Sequence, residues 1–179
     1  MNVQEAIEKR FSCRSFTERK ISDSDKEAIL KACLNSQTGL NMQELMFNWI
    51  ENKQYLNEIS RICFENFDEA ARERMTSRGA KTVFYDAPAL LVISSKGSYL
   101  DNIDAGIAAQ SICLTATELG LNSCIIQMTS LAFDKSRENM CDKLGFEKNE
   151  KYMLSVALGY GSMTKEPHKS EKKQIREFL

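Results

Sequence analysis

The sequence predicts an α+β sandwich, a small sheet covered by large helices, and two observations carry that prediction. Ala87 to Ile93 is an unbroken apolar run of strand length, the pattern of a strand buried on both faces. Asp101 to Leu119 is an Ala-rich helical stretch, apolar nearly all round and closed by Gly120. Such a helix packs in the middle of something, either a larger core or a partner subunit. The predicted order is helix-helix-strand-helix-strand-helix-strand-helix-strand-tail, in one domain over residues 1–179.

Each element has its own local reason. Val3, Ala6 and Ile7 recur at helical spacing, so Asn2 to Lys9 reads as a short helix that stops at Arg10. Ser22, with Asp25 three residues on, marks a helix start, and Ala28, Ile29, Ala32 and Cys33 give it an inward face as far as Asn35. Residues 36–44 are polar around Gly39 and read as a loop. Met46 to Glu51 alternates and is aromatic-rich, which predicts a strand. Lys53 to Met75 carries Leu56, Ile59, Cys63 and Phe67 on one side and reads as one long helix, with Arg72 to Lys81 polar and mobile. Pro88 to Ser95, Ser123 to Gln127 and Tyr152 to Tyr160 are the remaining strands. Asp134 to Leu144 reads as an amphipathic helix capped by Asp134 and stopped by Gly145. The tail from Gly161 is basic and ends in a short pattern with Ile175 and Phe178.

Composition excludes several function classes. Lys+Arg is 24 against 25 for Asp+Glu, a net charge of -1, which argues against a nucleic-acid binder. His168 is the single histidine, so a His-rich metal site or a Ser-His-Asp mechanism is not expected, and chemistry is expected from a cofactor. The nearest two of the six cysteines, Cys113 and Cys124, stand eleven positions apart, so no C-x-x-C metal pattern exists. The opening MNVQEAIEKR lacks the apolar core of a secretory signal. Free thiols in a reducing cytoplasm are therefore expected. No apolar run approaches the ~20 residues of a membrane helix. No Gly-rich phosphate loop follows any strand.

Four segments are candidates for a site. In an extended segment alternate residues share a face, so Arg10, Ser12 and Arg14 would present two guanidinium groups and a hydroxyl together. That set suits a phosphate, whereas a solvated basic strand would pair with Glu8 or Glu18. Asn41 and Gln43 alternate before a strand, and carboxamides suit the imide edge of a heteroaromatic ring, although ordinary turn chemistry also uses them. Cys124 to Met128 is a strand end whose backbone amides can meet a ligand, or a plain core strand. Lys165, Lys169, Lys172 and Lys173 make the tail a charge run, commonly a solvated face.

Taken in order along the chain, these strings resemble the FMN-dependent nitroreductase family. The quoted residues are Arg10, Ser12, Arg14 and Phe16; the loop from Gln37 to Leu45; the strand opened by Ala87-Pro88; Asp104-Ala-Gly-Ile-Ala-Ala-Gln110; Gly120 to Cys124; and Leu158-Gly159-Tyr160-Gly161. The resemblance implies a mixed, mainly antiparallel sheet flanked by helices, in an interlocked homodimer. The central helix would lie in the interface, and the tail from about residue 161 would cross to the partner. It implies FMN as cofactor, NADH or NADPH as electron donor, and a ping-pong hydride transfer to nitroaromatics, quinones or similar acceptors in the cytoplasm. A flavin-binding protein without turnover is the alternative.

By the same resemblance Arg10, Ser12 and Arg14 hold the FMN phosphate, with Lys172 or Lys169 from the tail. Asn41 and Gln43 approach the flavin from the other subunit, and Gln127 and Met128 pass near flavin N5. Gln37, Thr38, Glu44 and Leu45 replace the family's usual Pro, Ser, Pro and Trp, Phe11 stands where a polar residue is frequent, and Gln127 replaces a frequent glycine. The loop's acceptor preference is therefore not carried over.

Overall fold

The computed structural model describes residues 1–166 and 175–178. Four strands, β1 (Leu45–Ile50), β2 (Ala89–Ser95), β3 (Asn122–Ile126) and β4 (Lys151–Gly159), form one sheet in the order β1-β2-β4-β3, with every neighbouring pair antiparallel. A parallel bridge between Ser12 and Ser123 adds the N-terminal segment to the β3 edge and makes the sheet mixed. Helices α1 (Val3–Lys9), α2 (Asp23–Leu34) and α5 (Asp101–Glu118) cover one face. Helices α3 (Lys53–Glu65) and α4 (Glu69–Ser77) belong to the core on the other. The predicted α+β class, its strands and the central helix are all present.

β2 shows why both faces are covered. All seven of its residues are buried. Leu90 and Val92 join the core with α3 and α4, while Ala89, Leu91 and Ile93 join the core with α2 and α5. Period-2 alternation thus feeds two separate cores from one continuous apolar run.

Local capping explains the helix starts. Asn2 and Glu5 form a reciprocal capping box on α1, and Ser22 accepts the Asp25 amide at 3.1 Å to open α2. The central helix α5 differs from its sequence pattern in one respect. Ala105, Ala108, Ala109, Ile112, Cys113 and Ala116 are buried, whereas Asn102, Ile103, Gly106 and Gln110 are exposed. One chain therefore covers only one side of it.

Three segments differ from expectation. The helix predicted over 53–75 is two helices, because Asn66 ties its side chain back to the Ile62 carbonyl and Asp68 starts a new helix by accepting the Ala71 amide at 2.6 Å. Between them Phe67 turns into the core against Phe64. The stretch expected to be mobile from Arg72 is helical to Ser77, anchored by the fully buried Met75. The predicted helix over 134–144 does not form. Asp134 bonds the Ser136 amide and Asn139 the Cys141 amide, local bonds that compete with a helical ladder. Only a 3-10 turn, Asp142–Leu144, is present, stopped by left-handed Gly145 as expected.

Candidate functional site

The N-terminal segment is extended, as its alternation requires. Cys13 donates its amide to the Ser123 carbonyl at 2.9 Å, and the segment is bridged again at Phe16 to Gly161. Cys13 is fully buried, while Arg10, Ser12 and Arg14 are half-buried. The segment past β4 grips it from the other side. Ser162 donates its amide to the Ser15 carbonyl at 2.9 Å, the two serine hydroxyls lie 2.6 Å apart, and the Arg14 amide meets the Met163 sulfur at 3.2 Å.

Two glycines make that grip possible. A Cβ at Gly161 would lie 2.8 Å from the Cys13 sulfur and 2.7 Å from the Asn122 side-chain oxygen. One at Gly159 would lie 2.5 Å from Pro88.

The electrostatics of this segment are unusual. Among the described residues Arg14 Nε is buried without a hydrogen-bond partner, as is the neighbouring Ser123 hydroxyl. Among the described residues neither Arg10 nor Arg14 forms an ion pair, so the pairing with Glu8 or Glu18 does not occur. A buried donor without a partner carries a desolvation cost of about 1–3 kcal/mol. An anion accepting from both guanidinium groups would remove it. Burial pushes the Cys124 thiol up to about 11 against the opposing pull of Arg14 and, more weakly, Arg78. Arg78 also donates to the Tyr85 hydroxyl at 2.8 Å. Nothing in its polar surroundings in the sequence marked this arginine.

At the far end of β3 the chain leaves the sheet through Gln127, which is exposed, and Met128, which is half-buried. They lie on the same sheet edge as Arg10, Ser12 and Arg14. Asn41 and Gln43 lie at the other edge, on the loop before β1. Gly39 donates its amide to the buried Asp104 carboxylate at 3.0 Å, and the Gln43 amide bonds Thr38 Oγ1 at 3.1 Å. Asp104, which the sequence shows only as part of its Asp-Ala-Gly string, is thus the anchor of this loop. Gln43 Nε2 donates to Asn41 Oδ1 at 2.8 Å, making the two carboxamides one unit. Leu40, Asn41 and Gln43 all have left-handed backbones, with φ of 53°, 54° and 54°. Such strain clusters at functional loops.

One chain does not bring the two groups together. β2 and β4 stand between β1 and β3, so the edges are three spacings apart, roughly 14 Å. Lys169 and Lys172 lie outside the described residues.

All six cysteines are free and buried. Burial raises each thiol, Cys33 and Cys63 to about 12, so none is a ready nucleophile. No helix among the described residues is long and apolar enough to cross a membrane.

A sheet with helices on both faces and an arginine-bearing segment stapled to its edge defines a class of α+β domain. The chain belongs to the nitroreductase family: the model of that family matches residues 7–160. A nitroreductase with bound FMN from Desulfitobacterium hafniense is 30% identical over 100% of both chains, with a TM-score of 0.92. A second nitroreductase with bound FMN, from Bacteroides fragilis, is 26% identical over 100% of both chains, with a TM-score of 0.87. A putative NADH dehydrogenase/NAD(P)H nitroreductase from Bacteroides thetaiotaomicron shares the fold at 17% identity, covering 98% of this chain and 96% of its own, with a TM-score of 0.76. No curated protein matches the chain.

Proposed function

We propose that the chain is an FMN-dependent NAD(P)H oxidoreductase that works as a homodimer and reduces nitroaromatics, quinones or similarly electron-poor acceptors. The observation that carries this reading is the pair of half-buried arginines that have no ion partner among the described residues, one with an orphaned Nε, beside Ser12. These residues fit a phosphomonoester of roughly two negative charges. The FMN held by the two relatives of 30% and 26% identity supports the same assignment.

In this reading Arg10 and Arg14 neutralise the phosphate and Ser12 donates to it, joined by Lys172 or Lys169. Gln127 and Met128 present backbone beside the ring. Asn41 and Gln43 of a second copy approach from across the interface, since their own chain holds them at the opposite edge. The exposed side of α5, with Ile103 60% exposed, is the surface that the second copy would cover. Hydride relay between the nicotinamide and the acceptor is the chemistry FMN supplies when bound. The protein's part is binding, orientation and exclusion of water, and no side chain is assigned as a general acid. Six free thiols support a reducing, cytoplasmic setting.

An absorbance spectrum of the purified protein, followed by NADH and NADPH titration with a quinone and a nitroaromatic, tests the proposal. Flavin bands bleached by a reduced nicotinamide and restored by an acceptor are the expected result. Bound flavin without turnover would leave a flavin carrier or sensor. No flavin bands after added FMN would overturn the cofactor assignment.

A further inference from the structure

Directly after Gln127 and Met128 comes Thr129, whose side chain is fully buried. Its hydroxyl lies 2.8 Å from the Tyr152 hydroxyl, 2.9 Å from the Ser155 hydroxyl and 3.2 Å from the Ile126 carbonyl. Tyr152 donates to the same carbonyl at 3.0 Å, and the Ser155 and Tyr152 hydroxyls lie 3.3 Å apart. Three protons complete the set. One arrangement that uses every proton has Thr129 donating to Ser155, Ser155 to Tyr152, and Tyr152 to the Ile126 carbonyl. A fully satisfied buried network of this kind rigidifies what it holds. Here it holds both ends of a four-residue turn, Ile126 and Thr129, with Gln127 and Met128 between them.

The strand is shaped to make this possible. Residues three apart on a regular strand face opposite sides, yet Tyr152 and Ser155 both reach Thr129. The register between β2 and β4 passes from Ile93 opposite Leu154 to Ser94 opposite Tyr152, so Met153 is an extra residue in β4. That bulge reverses the facing of Tyr152, a use bulges commonly serve beside active sites. The Tyr152 ring is further fixed by stacking on Phe133 at 5.0 Å, which stacks on Phe146 at 5.6 Å. Burial pushes the Tyr152 hydroxyl up to about 12, so it remains a donor throughout the neutral range.

We propose that Thr129, Tyr152 and Ser155 are positioning residues that hold the Gln127–Met128 backbone against the flavin ring and thereby set the reduction potential of the bound flavin. This rests on the FMN reading above. Amide donors held beside the ring would stabilise the more electron-rich reduced flavin, and loosening the turn would weaken that preference without touching the phosphate cradle.

The test uses the FMN-loaded protein with Thr129→Val and Tyr152→Phe, each of which deletes one hydroxyl and keeps the side chain's shape. Oxidised FMN affinity is measured by fluorescence titration and the midpoint potential by dye equilibration. The expected result is nearly unchanged affinity for oxidised FMN and a reduced-to-oxidised affinity ratio about tenfold lower, about 30 mV for a two-electron couple. Thr129→Ser, which keeps the hydroxyl, should retain the parent potential.

Ser60→Ala is the control. It removes a buried hydroxyl that accepts the Val83 amide at 3.2 Å on the same core face, so it should lower stability and leave the potential in place. An unchanged potential in Thr129→Val and Tyr152→Phe, or an equal shift in Ser60→Ala, would overturn the proposal while leaving FMN binding intact. If Thr129→Val fails to fold, Tyr152→Phe decides alone. A parent protein that binds no FMN would overturn the functional reading itself.

Discussion

The two edges of the sheet carry the two halves of the candidate site in opposite physical conditions. At the β3 edge, Arg10, Ser12 and Arg14 ride on a segment stapled between Ser123 and Ser162, with the fully buried Cys13 beneath. At the β1 edge, Asn41 and Gln43 are exposed on a loop with three left-handed residues and an 80% exposed Leu40. The first half is held by the core of its own chain. The second is pre-shaped by Asp104 and Thr38 but faces outward, and the exposed side of α5 adjoins it. The contrast teaches that a segment fixed by the core of its own chain and a loop held only by Asp104 and Thr38 place different demands on the fold.

The strongest way to break this comparison is at the β3 edge. Arg10→Ala with Arg14→Ala should weaken FMN binding at least about a hundredfold, from two charge-assisted contacts of roughly 1.5–3 kcal/mol each. Fluorescence titration measures it, and unchanged affinity would move the phosphate elsewhere.

Alkali should destabilise the chain, since Cys13, Cys113 and Cys124 at this edge are buried thiols, as are Cys33 and Cys63 elsewhere. Their folded thiols titrate above the usual 9.0, so the stability they contribute is complete below pH 9 and is lost as pH rises through the folded values, about 11 for Cys124. Between pH 9 and its folded value, each thiol held protonated lowers stability by up to roughly 1.4 kcal/mol per pH unit. Urea unfolding at pH 8 and pH 10 should show the fall, and equal stability would contradict the burial assigned to these groups.

Ile103→Asp addresses the other edge. It should weaken self-association at least about tenfold by placing a charge on the exposed aliphatic surface that a second copy would cover, and FMN retention should drop with it if the site needs both copies. Sedimentation at micromolar concentration reads the first effect, and a monomeric parent protein would contradict the pairing outright.

The smallest effect sharpens the picture of strain. Leu40→Gly relieves a left-handed backbone that costs roughly 1–2 kcal/mol. In the Ile103→Asp background it should leave the chain slightly more stable to urea, and a loss of stability would show that the Leu40 side chain packs within its own chain.

Much of the fold was legible because it rests on local patterns. The apolar run of β2, the periodicity of α2 and α5, and the caps at Ser22 and Gly145 each act within a few residues. The break at Asn66 to Asp68 and the missing helix after Asp134 were not, because Asn and Asp serve equally as helix residues and as caps until packing decides. In the candidate site, the alternation of Arg10, Ser12 and Arg14 was readable, whereas Arg78, Asp104 and the Thr129–Tyr152–Ser155 network were not. Their partners lie far away in sequence, and the network also depends on a bulge with no sequence signature.

The sequence by itself determined the four strands, the helices α1, α2 and α5, and the alternation that sets Arg10, Ser12 and Arg14 on one face. Only the tertiary structure decided that Arg14 Nε has no partner among the described residues, that three hydroxyls close on one turn, and that Asn41 and Gln43 lie a sheet's width from Arg10. Periodicity and capping are local and survive in a linear string. The strand order β1-β2-β4-β3, and the distances it imposes, arise only when burial on both faces of β2 forces the two halves of the chain together.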